Sequence, residues 1–258
     1  TRNRALTGCG FDAQWELGFP HVLRDGLGLN PNSTPTLSGV RYELERNYNG
    51  DAFEKVIFSD SHDTAANGSV RLNDAVTPQN PTSLAAKQKT LLAACMMFTA
   101  PGIPMVLQGA EFLQDGAFND WQALEWNHTT THAGFTLAHQ HLTALRKNVY
   151  GNSAGLQGQY TSVFHQDDNN HVIGFLRAES AESNDTTIVI ANFSNASFHN
   201  YQLHLPQGGT WNVRFNSTWK GYSPDFPEVM LHEIATDATG MATIQVAPYS
   251  VYIASRQS

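Results

Sequence analysis

The sequence predicts an α/β layer followed by an all-β antiparallel sandwich. Three observations predict it. The first part, to about Asn148, alternates compact apolar runs with helical patterns. The second part is a series of short alternating stretches separated by polar turns. The change falls between Asn148 and Gln157, where Gly151, Asn152, Ser153 and Gly155 cluster. The expected division is therefore residues 1–150 and 151–258.

In the first part, Lys55-Val56-Ile57-Phe58-Ser59 is a β-branched and aromatic run and predicts a buried strand. Ile103 to Gln108, entered through Pro101-Gly102, predicts a second, although Pro104 removes a ladder donor. Gly10 to Trp15 predicts a weaker third. Between them, Ser83 or Thr82 caps a helix from Leu84 to Phe98 that Pro101-Gly102 ends. Phe135, Ala138, Leu142 and Leu145 form one apolar helical face that closes on Arg146-Lys147. His21 to Leu27 and Leu37 to Asn47 predict two further helices. Strand and helix in alternation favour parallel α/β units. In the second part eight strands are predicted: Tyr160–His165, His171–Arg177, Thr186–Phe193, Tyr201–Leu205, Trp211–Phe215, Val229–Ile234, Ala242–Val246 and Ser250–Ala254.

Composition narrows the function classes. The 258 residues are 41% hydrophobic, which suits a packed core. Fifteen Lys and Arg against 23 Asp and Glu give a formal charge of −8, which disfavours a nucleic-acid or anionic-membrane partner. The longest apolar run, around Leu91 to Phe98, falls far short of a bilayer span. Two cysteines, Cys9 and Cys95, make neither a disulfide framework nor a zinc motif. His128 and His132 are spaced for one helix face, but they lie in loop-like surroundings without a His-Glu-x-x-His pattern, so no metal is expected. No phosphate-binding glycine loop or nucleophile elbow is present, and no cofactor is expected.

The residues that can carry chemistry follow the predicted strands, where α/β folds hold ligands. Ser61-His62-Asp63 comes directly after the Lys55 strand. Its alternative reading is structural, with Asp63 as a cap and His62 packed. Gln108 and Glu111 follow the next strand, and the alternative for Glu111 is a paired, loop-ordering carboxylate. Trp15 ends the first strand as a sugar platform or as core. Trp121, Trp126 and Trp219 are further aromatic platforms or core residues.

These motifs together resemble the α-amylase superfamily (glycoside hydrolase family 13), and within it the 1,4-α-glucan branching enzymes. The resemblance rests on Val56 to Asp63 with Ala66-Asn67-Gly68 behind it, on Gly10 to Trp15, and on Arg46 to Phe53. It continues in Thr99 to Met105, Gln108 to Phe112, Ala191 to Ser194 and Pro248 to Val251, covering nearly the whole chain in order. It implies that the first part is the last three β/α units of an incomplete (β/α)8 TIM barrel, strands six to eight with their helices. It implies that the second part is the family's C-terminal β-sandwich. Asp63 is then the carboxylate that stabilises an oxocarbenium-like transition state, and His62 a donor to a substrate hydroxyl. Trp15, Asn67, Gln108 and Glu111 are the implied substrate-binding residues. The implied partner is an α-glucan such as glycogen, amylose or starch.

The nucleophilic Asp and acid Glu of the family follow earlier strands, and no residue before Gly10 matches them. The expectation is a C-terminal portion of a larger transglycosylase, inactive by itself. Thr64 stands where branching enzymes commonly carry an acidic residue, which keeps open a hydrolase of α-glucan or of a trehalose-capped oligosaccharide. A non-catalytic α-glucan-binding module is the other alternative. An open barrel edge at Phe11 to Trp15 would favour self-association. Seven Asn-x-Ser/Thr sequons are present, several expected by chance in a chain rich in Asn, Ser and Thr, and a glycan on Asn67 would obstruct the site; with few cysteines this favours an unglycosylated, bacterial-type cytoplasmic protein.

Overall fold

A computed structural model describes residues 8–32 and 34–256. The first part holds three short parallel strands, β1 (Gln14–Trp15), β2 (Lys55–Ile57) and β3 (Ile103–Pro104), in the order β1-β2-β3. Six helices accompany them: α1 (Gly18–Gly26), α2 (Ser38–Glu45), α3 (Leu72–Val76), α4 (Leu84–Thr99), α5 (His128–Thr131) and α6 (Ala133–Arg146). The strand expected through Gln108 stops at Pro104. One more link follows, from Met105 N to Ile57 O at 2.8 Å, and the chain then turns at Leu107–Ala110 through a left-handed Gly109. The Gly10 to Trp15 strand is reduced to its last two residues.

The α4 cap is as expected: the Ser83 hydroxyl accepts from Ala86 N at 3.2 Å. Residues 91–99 of α4 are buried on every side, so this helix runs through the interior. Two arginines, Arg177 fully buried and Arg146 partly buried, hold its C-terminal end. Arg177 donates to the carbonyls of Thr99, Leu156 and Gly158, and Arg146 to those of Phe98, Ala100 and Gly102. Cations belong at this negative end of a helix, where carbonyls lack intrahelical partners. Burial lowers the pKa of both guanidinium groups, that of Arg146 to about 10.

The second part is antiparallel throughout. A six-stranded sheet has the order β4-β5-β6-β11-β8-β9, and β7 pairs with β10 in a two-stranded sheet. The strands are β4 (Tyr160–Asp167), β5 (Val172–Ala178), β6 (Thr187–Asn192), β7 (Phe198–His204), β8 (Thr210–Asn216), β9 (Glu233–Ala235), β10 (Met241–Val246) and β11 (Val251–Ser255). Each of the eight expected stretches contributes a strand. The exception in extent is Val229–Ile234, where only Glu233–Ala235 is strand. There the backbone of Val229 is drawn to side chains instead, its N–H to Thr218 Oγ1 at 3.0 Å and its carbonyl to Asn216 Nδ2 at 2.7 Å.

Strand alternation sorts the side chains into two cores. Ile173, Phe175, Val189, Ala191, Val251 and Ile253 face the helices and share a core with α1, α2, α4 and α6. Val172, Leu176, Ile188, Ile190, Tyr252 and Ala254 face β7 and β10 and enclose Trp211. The central sheet is thus covered on both faces, and β5, β6 and β11 are buried along their whole length.

Candidate active site

The chain leaves β2 through Phe58, which is buried, and Asp60, which is anchored on two sides. Asp60 accepts from Arg24 Nη2 at 2.7 Å and from Leu72 N at 2.9 Å. Desolvation raises the pKa of this carboxyl, opposed chiefly by Arg24. A tight turn follows. Thr64 Oγ1 accepts from Ser61 N at 2.8 Å, and Thr64 N donates to Ser61 Oγ at 3.4 Å. This reciprocal closure projects His62 and Asp63, whose side chains are 51% and 63% exposed and approach to 3.3 Å between Nε2 and Oδ1. The turn is braced by the segment after Gly116, because Phe118 N donates to Ala65 O at 2.6 Å.

The sequence-predicted residues divide between two clefts. Trp15, His62, Gln108 and Glu111 line the larger, about 850 Å³, walled by Met105, Val106 and one face of α6 that includes His139. Asp63 and Asn67 line a second, about 480 Å³, with Phe118, Asp120 and Trp121. His62 belongs to both and forms the ridge between them. Its ring lies edge-on to Trp15 at 5.7 Å and tilted toward Phe118 at 5.8 Å. Trp15 also meets Phe58 edge-on at 5.4 Å while staying 40% exposed, so it is neither fully core nor a free platform. Asp63 and Glu111 do not share a cleft.

Glu111 sits in a short 3-10 turn, Ala110–Phe112, with Oε2 buried and without a hydrogen-bond partner among the described residues. Gln108 is exposed, and its carbonyl accepts from Arg71 Nη1 at 3.0 Å. Asn67 adopts a left-handed φ of 54°, which asparagine tolerates better than most residues. Asp60 and Arg24 anchor the turn, and the sequence signals only the first of them, as a carboxylate just past a strand and two residues before His62. Trp121, almost wholly exposed beside Asp63, is the aromatic that the folded loop brings to the cleft.

The His128 and His132 surroundings are helical rather than loop: His128 opens α5 and His132 follows it, with ring centroids 5.0 Å apart. Among the described residues no group of three or more His, Cys, Asp or Glu is placed to hold a metal. Cys9 is exposed, and Cys95 is buried with its thiol pKa pushed up by desolvation. Two sequon asparagines are used internally. Asn192 Nδ2 donates to Ala196 O and Ala247 O at 2.9 and 2.8 Å, and Asn216 Nδ2 to Val229 O at 2.7 Å. Among the described residues no helix is long and apolar enough to cross a membrane.

A β-sandwich joined to parallel strands whose carboxyl ends carry a His-Asp turn defines a class, and the comparisons bear on it directly. Residues 156–257 match the family described as "Alpha amylase, C-terminal all-beta domain". This match agrees with the resemblance that the motifs of the chain carry. Among curated proteins it is 27% identical over 228 residues to 1,4-alpha-glucan branching enzyme GlgB of Prochlorococcus marinus strain AS9601, covering 86% of this chain and 29% of that protein. It is 26% identical over 243 residues to the GlgB of Marinobacter nauticus, covering 86% and 35%. The chain spans about a third or less of these relatives. In fold it is similar to a pullulanase from Paenibacillus barengoltzii, with a TM-score of 0.69 and 18% identity over 100% of this chain and 40% of that one.

Proposed function

We propose that this chain is the C-terminal portion of a retaining α-glucan-active enzyme that resembles 1,4-α-glucan branching enzyme, cleaving α-1,4 and forming α-1,6 links. The observation that carries this reading is the braced Ser61–Thr64 turn, which presents His62 and Asp63 at the carboxyl end of parallel strands between two clefts. In this reading β1, β2 and β3 are the sixth, seventh and eighth strands of a barrel. Residues 1–150 are the barrel part and 151–258 the sandwich.

Asp63 holds sugar hydroxyls and strengthens its hold as positive charge develops at the anomeric carbon. His62 donates to a neighbouring hydroxyl. Trp15, Gln108 and Glu111 contact the glucan on one side of His62, and Asn67 on the other. Glycosyl transfer with retention also needs a nucleophile and an acid. The resemblance puts both outside these 258 residues, so the chain by itself is inactive. Association through the open edge of the parallel strands and a cytoplasmic location complete the reading.

Thr64 favours a second reading, hydrolysis in place of branching. A threonine puts no carboxylate beside Asp63, and its hydroxyl is engaged by the Ser61 backbone. The experiment is product analysis on amylose. The chain alone is expected to leave iodine staining and reducing ends at the level of a blank, and turnover above it would overturn the proposal. In a protein that also carries the nucleophile and acid, Asp63→Asn is expected to lower kcat by about a hundredfold or more. New α-1,6 branches then support transfer, and reducing ends without branches support hydrolysis.

A further inference from the structure

The chain contains two Asn-Gly pairs, Asn49-Gly50 and Asn67-Gly68, and the fold gives both the same backbone. Asn49 and Asn67 have φ of 53° and 54°, and Gly50 and Gly68 have φ of 78° and 93°. Each pair occupies the centre of a tight turn. Asp51 N donates to Tyr48 O at 2.8 Å across the first, and Ser69 N to Ala66 O at 3.0 Å across the second. Successive left-handed residues closed by such a bond form the turn that Asn-Gly favours. All four residues are exposed, and open space surrounds both glycines. Conformation and solvent access therefore do not distinguish the two pairs.

Their hydrogen bonds do. Asn49 Nδ2 donates to Glu54 Oε2 at 2.7 Å, and Gly50 N to Asn47 Oδ1 at 3.2 Å. A β-bridge between Tyr48 and Asp51 fixes that turn further. At the second pair, among the described residues, neither the Asn67 amide nor the Gly68 N–H is hydrogen-bonded. These are the two groups that react when an asparagine side chain is attacked by the backbone nitrogen that follows it. Glycine eases the attack, because no side chain shields its nitrogen and its dihedrals are the least restricted. A bond at Nδ2 holds the side chain in place, and a bond at the glycine N–H opposes loss of its proton. The first pair has both restraints and the second has neither.

We propose that Asn67-Gly68 is a self-modification site, at which Asn67 converts to aspartate and isoaspartate with water as the co-reactant, and that Asn49 is spared. Gly68 N loses its proton to solvent base and bonds to Asn67 Cγ. The Cγ–Nδ2 bond breaks, and the nitrogen leaves as ammonia. Water then opens the resulting cyclic imide at one of its carbonyls. Opening at Cγ gives aspartate. Opening at the backbone carbonyl gives isoaspartate, with the main chain rerouted through Cβ and Cγ. Either product adds a carboxylate to the cleft that holds His62, Asp63 and Asp120. The inference concerns the chain's own amide and does not rest on the glucan reading.

Trypsin separates the two pairs, into residues 47–55 and 56–71, and Asn67 is the only amide side chain in its peptide. The test is to age the folded chain at mildly alkaline pH, digest it and weigh the peptides. Residues 56–71 are expected to gain about 1 Da, or about 3 Da after ageing in oxygen-18 water, at least about fivefold faster than residues 47–55. In guanidinium, where the restraints are gone, the two rates are expected to agree within about threefold. Asn47→Ala, at an exposed position, frees Gly50 N and is expected to speed the gain in residues 47–55 about threefold. Equal rates in the folded chain, or a faster gain in residues 47–55, overturn the inference. So does a gain in residues 56–71 that occurs only in guanidinium, because the turn would then protect Asn67 as well. An unchanged rate in Asn47→Ala overturns the restraint at Gly50 as the reason that Asn49 is spared.

Discussion

The parallel strands and the antiparallel sandwich use their backbones in opposite ways. The sandwich strands run up to eight residues, and its central strands are buried on both faces. The parallel strands are two or three residues long, and Phe11, Trp15, Ile103 and Val106 stay exposed around them. One region pairs its strands along their length and buries both faces of its central sheet, one of them against the helices of the other region. The other leaves edges and side chains open, and it is where His62, Asp63, Trp15 and Glu111 stand. Exposed chemistry is tolerated there because α4, gripped at its end by Arg177 of β5, ties the open region to the closed one.

The comparison breaks first at that tie. Arg177→Leu leaves the carbonyls of Thr99, Leu156 and Gly158 without their buried donor. A loss of about 2–4 kcal/mol is expected in urea titrations. A loss under about 1 kcal/mol would mean that water or rearrangement replaces the guanidinium and that the two regions are not held together this way.

The next effect contrasts two tryptophans. Trp211 is fully buried between the sheets of the sandwich, whereas Trp15 is 40% exposed. Trp211→Ala is expected to cost about 3–5 kcal/mol and Trp15→Ala about 1 kcal/mol, both by denaturant titration. Equal costs would remove the distinction between a closed and an open region.

The smallest effect is a pH dependence. His139 is buried against the larger cleft, with Nδ1 bonded to Phe135 O at 2.9 Å. Desolvation, its main cause, lowers the pKa below the ordinary 6.5. The unfolded chain then binds the proton more readily, so stability contributed by the neutral imidazole is present above about pH 6.5 and is lost as the pH falls below it. His139→Leu is expected to flatten the stability profile between about pH 7 and 5 relative to the parent. An unchanged slope would assign the acid sensitivity to other groups, such as His165, whose pKa burial also lowers.

Much of this was legible because the sandwich strands carry their pairing in a period of two and α6 carries its buried face in a period near four. The position of His62 and Asp63 past a strand was legible for the same reason. Three things were not. The β3 strand ends at Pro104, and the chain turns through a left-handed Gly109 five residues on, which no apolar run announces. The short helices α3 and α5 are too brief to show periodicity. The division of the site into two clefts depends on Phe118 folding back onto Ala65, a long-range contact that no local pattern encodes. Trp219 was visible only as an aromatic; its footing on Gly221 and His141 is a tertiary fact.

The grip of Arg177 on the end of α4 also sets an order of events during synthesis. The carbonyl of Thr99 and the guanidinium that satisfies it are separated by 78 residues. Helix α4 leaves the ribosome long before β5 exists, so although Arg146 of α6 can reach Phe98 and Ala100 earlier, the Thr99 carbonyl waits for the first hairpin of the sandwich to emerge. Nascent chains cut short before residue 177 should therefore expose the last turn of α4 to proteases, and chains extended past it should not.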